Sequence, residues 1–233
     1  MPLERMLQIY FLQLWFNLSD PAVAGTLYDS VAMRSFASND LGAEAAPDET
    51  PVCKFRHLPE KHRLDKRLLV PENEYLRRNG IEIANGTIID ATIINTPSST
   101  TNKHEQCDLE MHQTAKGQQW YFGMKAHLGV DSKTKLIHTV LVSAANVADV
   151  DVFWHLSHGR ETRSRGHQAY TDRTTTMRAR APRAGDLTNR KHRGRVRVSE
   201  IAKAKNRIRC KIRVKVERVI GVIKRIFWFQ QVR

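Results

Sequence analysis

The run GTIIDATIINTPSS at 86–99 places one acidic residue, Asp90, inside an otherwise apolar, β-branched stretch. Ile88, Ile89, Ile93 and Ile94 favour a strand covered on both faces, because branched side chains pack well on a pleated surface. An ionised carboxylate in such a strand is costly unless a cation receives it. A metal ion is one such receiver; a lysine or arginine is another.

Two more extended segments follow. Trp120–Val130 and Leu136–Val142 are joined by the polar turn Asp131–Lys135 and read as a hairpin. Trp120, Tyr121 and Phe122 read as a core edge rather than a base-stacking platform, since consecutive strand residues alternate faces. The polar run Asn102–Asp108 reads as a loop between the first two strands. Upstream, the pattern is helical. Leu7, Tyr10, Phe11, Leu14 and Trp15 are close to helical spacing within 6–18. Asp20 and Pro21 read as the N-cap and first-turn proline of a second helix that runs to about Phe36. Asp48, Glu49 and Thr50 can start a third around Val52–Leu58.

The segment Ile201–Phe229 is ambiguous by pattern. IRCKIRVKVE at 208–217 alternates apolar and charged residues, as a strand does. Ile208, Ile212, Val216, Val219, Ile223 and Ile226 also form a helical stripe. On a helix, Arg213, Glu217 and Lys224 share one face, away from the centre of that stripe.

The net charge is +14, and it is unevenly placed. Residues 160–233 carry 23 Lys+Arg against 5 Asp+Glu, while residues 1–159 carry 15 against 19. A basic excess confined to the last third suggests a polyanion partner, most simply nucleic acid; a solvated basic tail is the plainer alternative. Cys53, Cys107 and Cys210 are odd in number, widely spaced and form no CxxC pair, which fits a reducing cytoplasm. Met6–Trp15 is too short to span a bilayer, and no signal peptide is evident, so no membrane association is expected. His155 and His158, with His167 nearby, suggest a metal site by composition alone. Their short spacing reads better as surface histidines. His127 and His138 in the hairpin read as structural.

The segments at 86–99 and QWYFGMKAHLGVD at 119–131, with VERVIGVIKR near the end, closely resemble the DDE transposases of bacterial insertion sequences, specifically the group typed by insertion sequence five. NLSDPAV, LYDS and PDETPVCKFRHL resemble the helical N-terminal domain of the same family. The resemblance implies an α/β fold: a helical N-terminal region over 1–80, and a ribonuclease H-like mixed sheet with flanking helices over 84–233. It makes Ile201–Phe229 a helix. Relative to the family, the chain would be shortened at its start and would stop early at FWFQQVR.

The resemblance also implies a reaction, the metal-dependent cutting of element ends and their transfer to target DNA. Two Mg2+ (or Mn2+) ions held by three carboxylates would carry it. Asp90 matches the first carboxylate and Glu217 the third. The family's tyrosine, arginine, glutamate and lysine signature is kept at Arg213, Glu217 and Lys224, with Cys210 in the tyrosine's place. Arg213 and Lys224 would then contact DNA phosphate. The plainer reading of Arg213 and Glu217 is an i, i+4 ion pair on a solvated face. The second carboxylate is missing. The matching stretch runs Arg163 to Tyr170, and His167 stands where an aspartate belongs. Imidazole suits softer ions than magnesium, and Asp172, five residues on, lies past the turn. The strand presenting it has lost apolar character at Ser164 and Arg165. The expectation is therefore a transposase working on double-stranded DNA as a homo-oligomer at the bacterial nucleoid, in a copy with impaired cleavage. The alternative is a catalytically dead DNA-binding remnant. A third class, an unrelated basic nucleic-acid protein, is disfavoured by the matches at Asp90 and Glu217.

Overall fold

The β-branched run folds into a strand, β1 (Gly86–Asn95), in a computed structural model that describes residues 2–62, 64–81, 86–96, 110–167, 182–189 and 199–231. The strand β2 (His112–Lys116) turns at Gly117, whose φ is +66°, into β3 (Gln119–Asp131). The long strand β3 pairs antiparallel with β1 from Thr87↔Asp131 to Asn95↔Gly123. Its other edge carries β4 (Ile137–Ala144), also antiparallel. Two short strands, β5 (Arg163–Arg165) and β6 (Gly185–Asp186), extend the sheet beyond β1 in parallel. The core order is β4–β3–β1–β5–β6, with β2 added to the N-terminal end of β3. This mixed sheet with flanking helices is the expected α/β, ribonuclease H-like fold.

The described helices are α1 (Leu3–Phe16), α2 (Asp20–Asp29), α3 (Val31–Phe36), α4 (Glu49–Lys61), α5 (Asp65–Arg78), α6 (Asp149–Val152) and α7 (Glu200–Arg225). The chain divides into two compact units. One is Met1–Glu74 with Lys224–Trp228; the other is Tyr75–Ile223 with Phe229–Arg233.

In the first unit Met6, Ile9 and Leu12 of α1 pack with Val23 and Leu27 of α2 and Val52 of α4. Two local expectations change. The cap of α2 is Ser19, whose hydroxyl accepts from the Ala22 amide at 3.3 Å, so Asp20 is the first helical residue instead. Asp20 takes Gln13 and Arg56 as partners, at 2.8 and 3.1 Å. The second helix stops at Ser30, because that side chain caps a new helix by accepting from the Met33 amide.

In the second unit the two faces of β1 serve different layers, as a strand's side chains must. Ile89 packs with Phe153, Leu156 and Ala184. Ile88 packs with Leu128, Val130 and Val216, and Ile212, Val219, Ile220 and Ile223 of α7 flank them. The helical reading of the final segment therefore holds over 26 residues. One-sided burial selects it: the apolar stripe covers the sheet, and the alternating charges become a helix surface. The ends of that stripe are not buried, for Ile208 and Ile226 are 62% and 59% exposed.

Trp120 departs from expectation. It is 71% exposed and does not pack a core edge. The reason is topological: β1 and β4 pair with β3 only from Gly123 and Met124 onward, so at Trp120 β3 has only β2 paired with it. Strand β5 forms although Ser164 and Arg165 are polar. Backbone pairing on both of its edges holds it. The Ser164 hydroxyl and the Arg165 Nε are nevertheless buried with no hydrogen-bond partner among the described residues. Asn102–Asp108, Tyr170 and Asp172 lie outside the described residues. Among the described residues no helix is long and apolar enough to cross a membrane.

Candidate active site

Strand alternation puts Asp90 on the same face as Ile88, toward α7. Val216 is fully buried against that face. Arg213, one turn before it, and Glu217, next after it, are thereby carried to Asp90. The Arg213 Nη1 donates to Asp90 Oδ2 at 3.2 Å, and its Nη2 lies 2.8 Å from Glu217 Oε1. One guanidinium thus spans two carboxylates. The i, i+4 pair of the plainer reading does form, but its arginine also reaches 123 positions back along the chain.

His167 arrives by strand register. β5 runs parallel to β1 with Ile88 opposite Arg165. Two residues further on, the same register leads to Asp90 and His167. Asp90, His167, Arg213 and Glu217 line one cleft of about 630 Å³. Lys224 sits on the last turn of α7, about 10 Å along the axis from Glu217, and does not line the cleft. Cys210, in the signature's tyrosine position, is half-buried, and its Sγ accepts from Asn189 Nδ2 at 3.2 Å.

Burial raises the pKa of Asp90 above the ordinary carboxylate value, as desolvation disfavours the charged form. The Ala91 amide and the Arg213 charge oppose that shift. Burial, and then the Arg213 charge, hold the His167 imidazole below its ordinary value, so it is neutral at pH 7.

Three further charged residues line the cleft that the sequence reading did not select: Lys116, Lys125 and Asp149. Lys125 Nζ lies 3.0 Å from Asp149 Oδ1 and donates to the Val147 carbonyl at 2.8 Å. The signal for Lys125 was of the same kind as for Asp90, a charge inside an apolar strand. Asp149 had no such signal; it is simply an acidic residue opening a short helix.

The two hairpin histidines are structural, as expected. His127 is fully buried, with Nε2 2.8 Å from the Ser143 hydroxyl, and burial pulls its pKa to about 4. His138 joins a buried network behind the cleft. Thr87 Oγ1 lies 3.2 Å from its Nε2 and donates to Glu161 Oε1 at 3.3 Å, and Glu161 Oε2 accepts from the Gly159 amide at 2.8 Å. His158 packs edge-on to His138. No group of three or more His, Cys, Asp or Glu side chains among the described residues could hold a metal ion. The composition-based grouping of His155, His158 and His167 therefore forms no centre.

The family model described as "Transposase DDE domain" matches residues 83–233, and the one described as "Transposase domain (DUF772)" matches residues 1–58. No solved structure matches the chain. The first match covers well over half of the sequence and contains every side chain that lines the cleft. With the ribonuclease H-like sheet beneath that cleft, it follows that the chain belongs to the DDE transposases of insertion sequences.

Proposed function

We propose that this protein binds the DNA ends of its element through the cleft of Asp90, His167, Arg213 and Glu217, and that its cleavage step is impaired. The observation that supports the reading is the meeting of these four side chains, drawn from β1, the end of β5 and α7, in one cleft. DDE transposases cut and rejoin phosphodiester bonds and in general use divalent metal ions. Asp90 and Glu217 offer the hard oxygen ligands that magnesium or manganese prefers. In this arrangement, however, the residues do not fit such an ion. Arg213 holds an oxygen of each carboxylate, the third position is an imidazole, and the described residues contain no converging group of three ligands.

What the chain's own residues supply is positioning. Arg213 presents a planar fork suited to phosphate, and Lys116 adds positive charge to the same cleft. Lys224, on the last turn of α7, would contact DNA backbone away from the cleft. Asp90 and Glu217 are the inherited catalytic carboxylates, and His167 replaces the one between them. Double-stranded DNA, both terminal repeats and target, is the partner, with the protein acting as a homo-oligomer at the bacterial nucleoid. The resemblance at 86–99 and 119–131 supports a reading as a member of the insertion sequence five group.

The test uses full-length protein, a duplex carrying the inverted repeats that flank its gene, and magnesium. Specific binding is expected, with strand transfer no greater than in Glu217→Gln. Strand transfer well above that control would show an intact enzyme. Binding no tighter to the repeats than to random duplex would remove the transposon-end reading altogether.

A further inference from the structure

We propose that the outward face of α7 is a second DNA-binding surface, on which Lys203, Arg207, Lys211 and Arg218 hold the phosphate backbone of a duplex other than the one in the cleft. The inference rests on reading the cleft, on another face of the same helix, as the seat of the element's ends. It assigns the second DNA segment of a joining reaction to side chains that the cleft does not use.

Helical geometry sets the row. At about 100° per residue, the four side chains fall within roughly 80° of arc, opposite Val216, which is fully buried against the sheet. All four are exposed. They extend over about 22 Å of the helix axis. The centre of the row lies about 100° round the helix from Arg213 and Glu217, so a straight duplex seated in the cleft does not lie along it.

Three other cations of the helix are engaged within the fold. Arg213 holds Asp90 and Glu217, Arg209 donates to the Thr188 carbonyl and Lys215 to the Ser132 carbonyl. The two acids of the helix, Glu200 and Glu217, are paired with Lys203 and Arg213. Arg207, Lys211 and Arg218 make no ion pair and no side-chain hydrogen bond with another described residue. Like charges spaced four apart on a helix repel one another, and a polyanion relieves that repulsion. Duplex DNA carries a negative charge for about every 1.7 Å of its axis, so a row of this length meets several phosphates. No aromatic ring stands in the row. Protein–protein contacts are commonly anchored by such rings, whereas a phosphate backbone needs none.

The probes are a random-sequence duplex and a duplex carrying the element's inverted repeats, each titrated with full-length protein. Wild type is compared with Arg207→Gln/Lys211→Gln/Arg218→Gln and with Lys54→Gln/Lys61→Gln/Arg67→Gln, a control that removes three exposed cations of the first unit. Glutamine keeps the helix propensity of the residues it replaces. The α7 variant is expected to bind random duplex at least tenfold more weakly at roughly 100 mM salt, with the salt slope lowered by about 2 to 3. Its affinity for the repeat duplex changes less than threefold, as does the control's for either probe. Wild type held on immobilised repeat duplex also captures a labelled random duplex, and the α7 variant does not. Equal weakening in the α7 variant and the control, or capture undiminished in the α7 variant, would overturn the second surface. An equal loss on repeat and random duplex would make the row part of end binding and overturn it too. Absence of any preference for the repeats in wild type removes the reading of the cleft instead, and the two variants still decide on the row. Should the α7 variant fail to fold by circular dichroism, Lys211→Gln alone decides: a salt slope lower by about one supports the proposal, and a slope equal to wild type overturns it.

Discussion

At the scale of single residues, the molecule turns on how a buried charge is received. Asp90 sits in the middle of an isoleucine run because Arg213 is there to meet it. His167 is the weak member of the cleft, yet its local frame is folded: β5 pairs with β1 on one edge and β6 on the other. His167→Asp is therefore expected to raise metal-dependent nicking of the element's ends at least tenfold over wild type; an unchanged rate would mean that the missing carboxylate is not what limits the step. The buried histidines behave differently from the cleft. Burial takes His127 and His138 from 6.5 to about 4, so both fold neutral. Between those values the unfolded chain binds protons that the folded one refuses. Stability is complete above about pH 6.5 and falls as the pH drops toward 4, by on the order of 3 kcal/mol per histidine at full effect. The raised pKa of Asp90 works in the opposite sense and offsets part of this. Urea midpoints measured from pH 7.5 to 4.5 test the prediction; a flat profile contradicts it.

At the scale of elements, α7 and β1 are the pair that builds the cleft. Val216 is the fully buried contact that fixes which way Arg213 and Glu217 point. Val216→Ala removes two methyl groups and leaves a void, for a loss of about 2 kcal/mol. Chemical denaturation reads that loss, and DNA binding should weaken with it as the helix face loosens. Gly123 has φ +153°, and a Cβ there would meet the Ile94 carbonyl. Gly123→Ala is expected to destabilise the β1–β3 pairing, visible as faster amide exchange at Ile93 and Ile94. These elements were readable to different degrees. β1, the hairpin and α1 announced themselves through β-branched runs and apolar spacing. β2 did not: His112–Lys116 is polar and mostly exposed, so it carries no burial signature and forms by pairing with β3. The cap at Ser19 was missed because Asp20–Pro21 is an equally good start signal one residue later.

At the scale of the whole molecule, charge decides what the protein meets. The excess of positive charge lies in the last third of the sequence, much of it on α7, which also carries Arg213 and Glu217. Binding to random duplex DNA is expected to weaken at least tenfold between roughly 50 and 200 mM salt, as released counterions stop favouring association. Affinity that holds steady over this range would argue that the basic residues do not face the DNA backbone.

The order of residues by itself gave the central strand through β-branching, and through its resemblance the family and four of the side chains that line the cleft. It left the final segment open between strand and helix until that resemblance chose the helix. Only the tertiary structure decided which cation Asp90 receives, that one arginine serves two carboxylates, and that Lys125 and Asp149 share the same cleft. The physical reason is that spacing fixes the face of a helix but not its rotation against the sheet. That rotation is set by Val216 packing on Ile88, a contact between residues that no local window of the sequence contains.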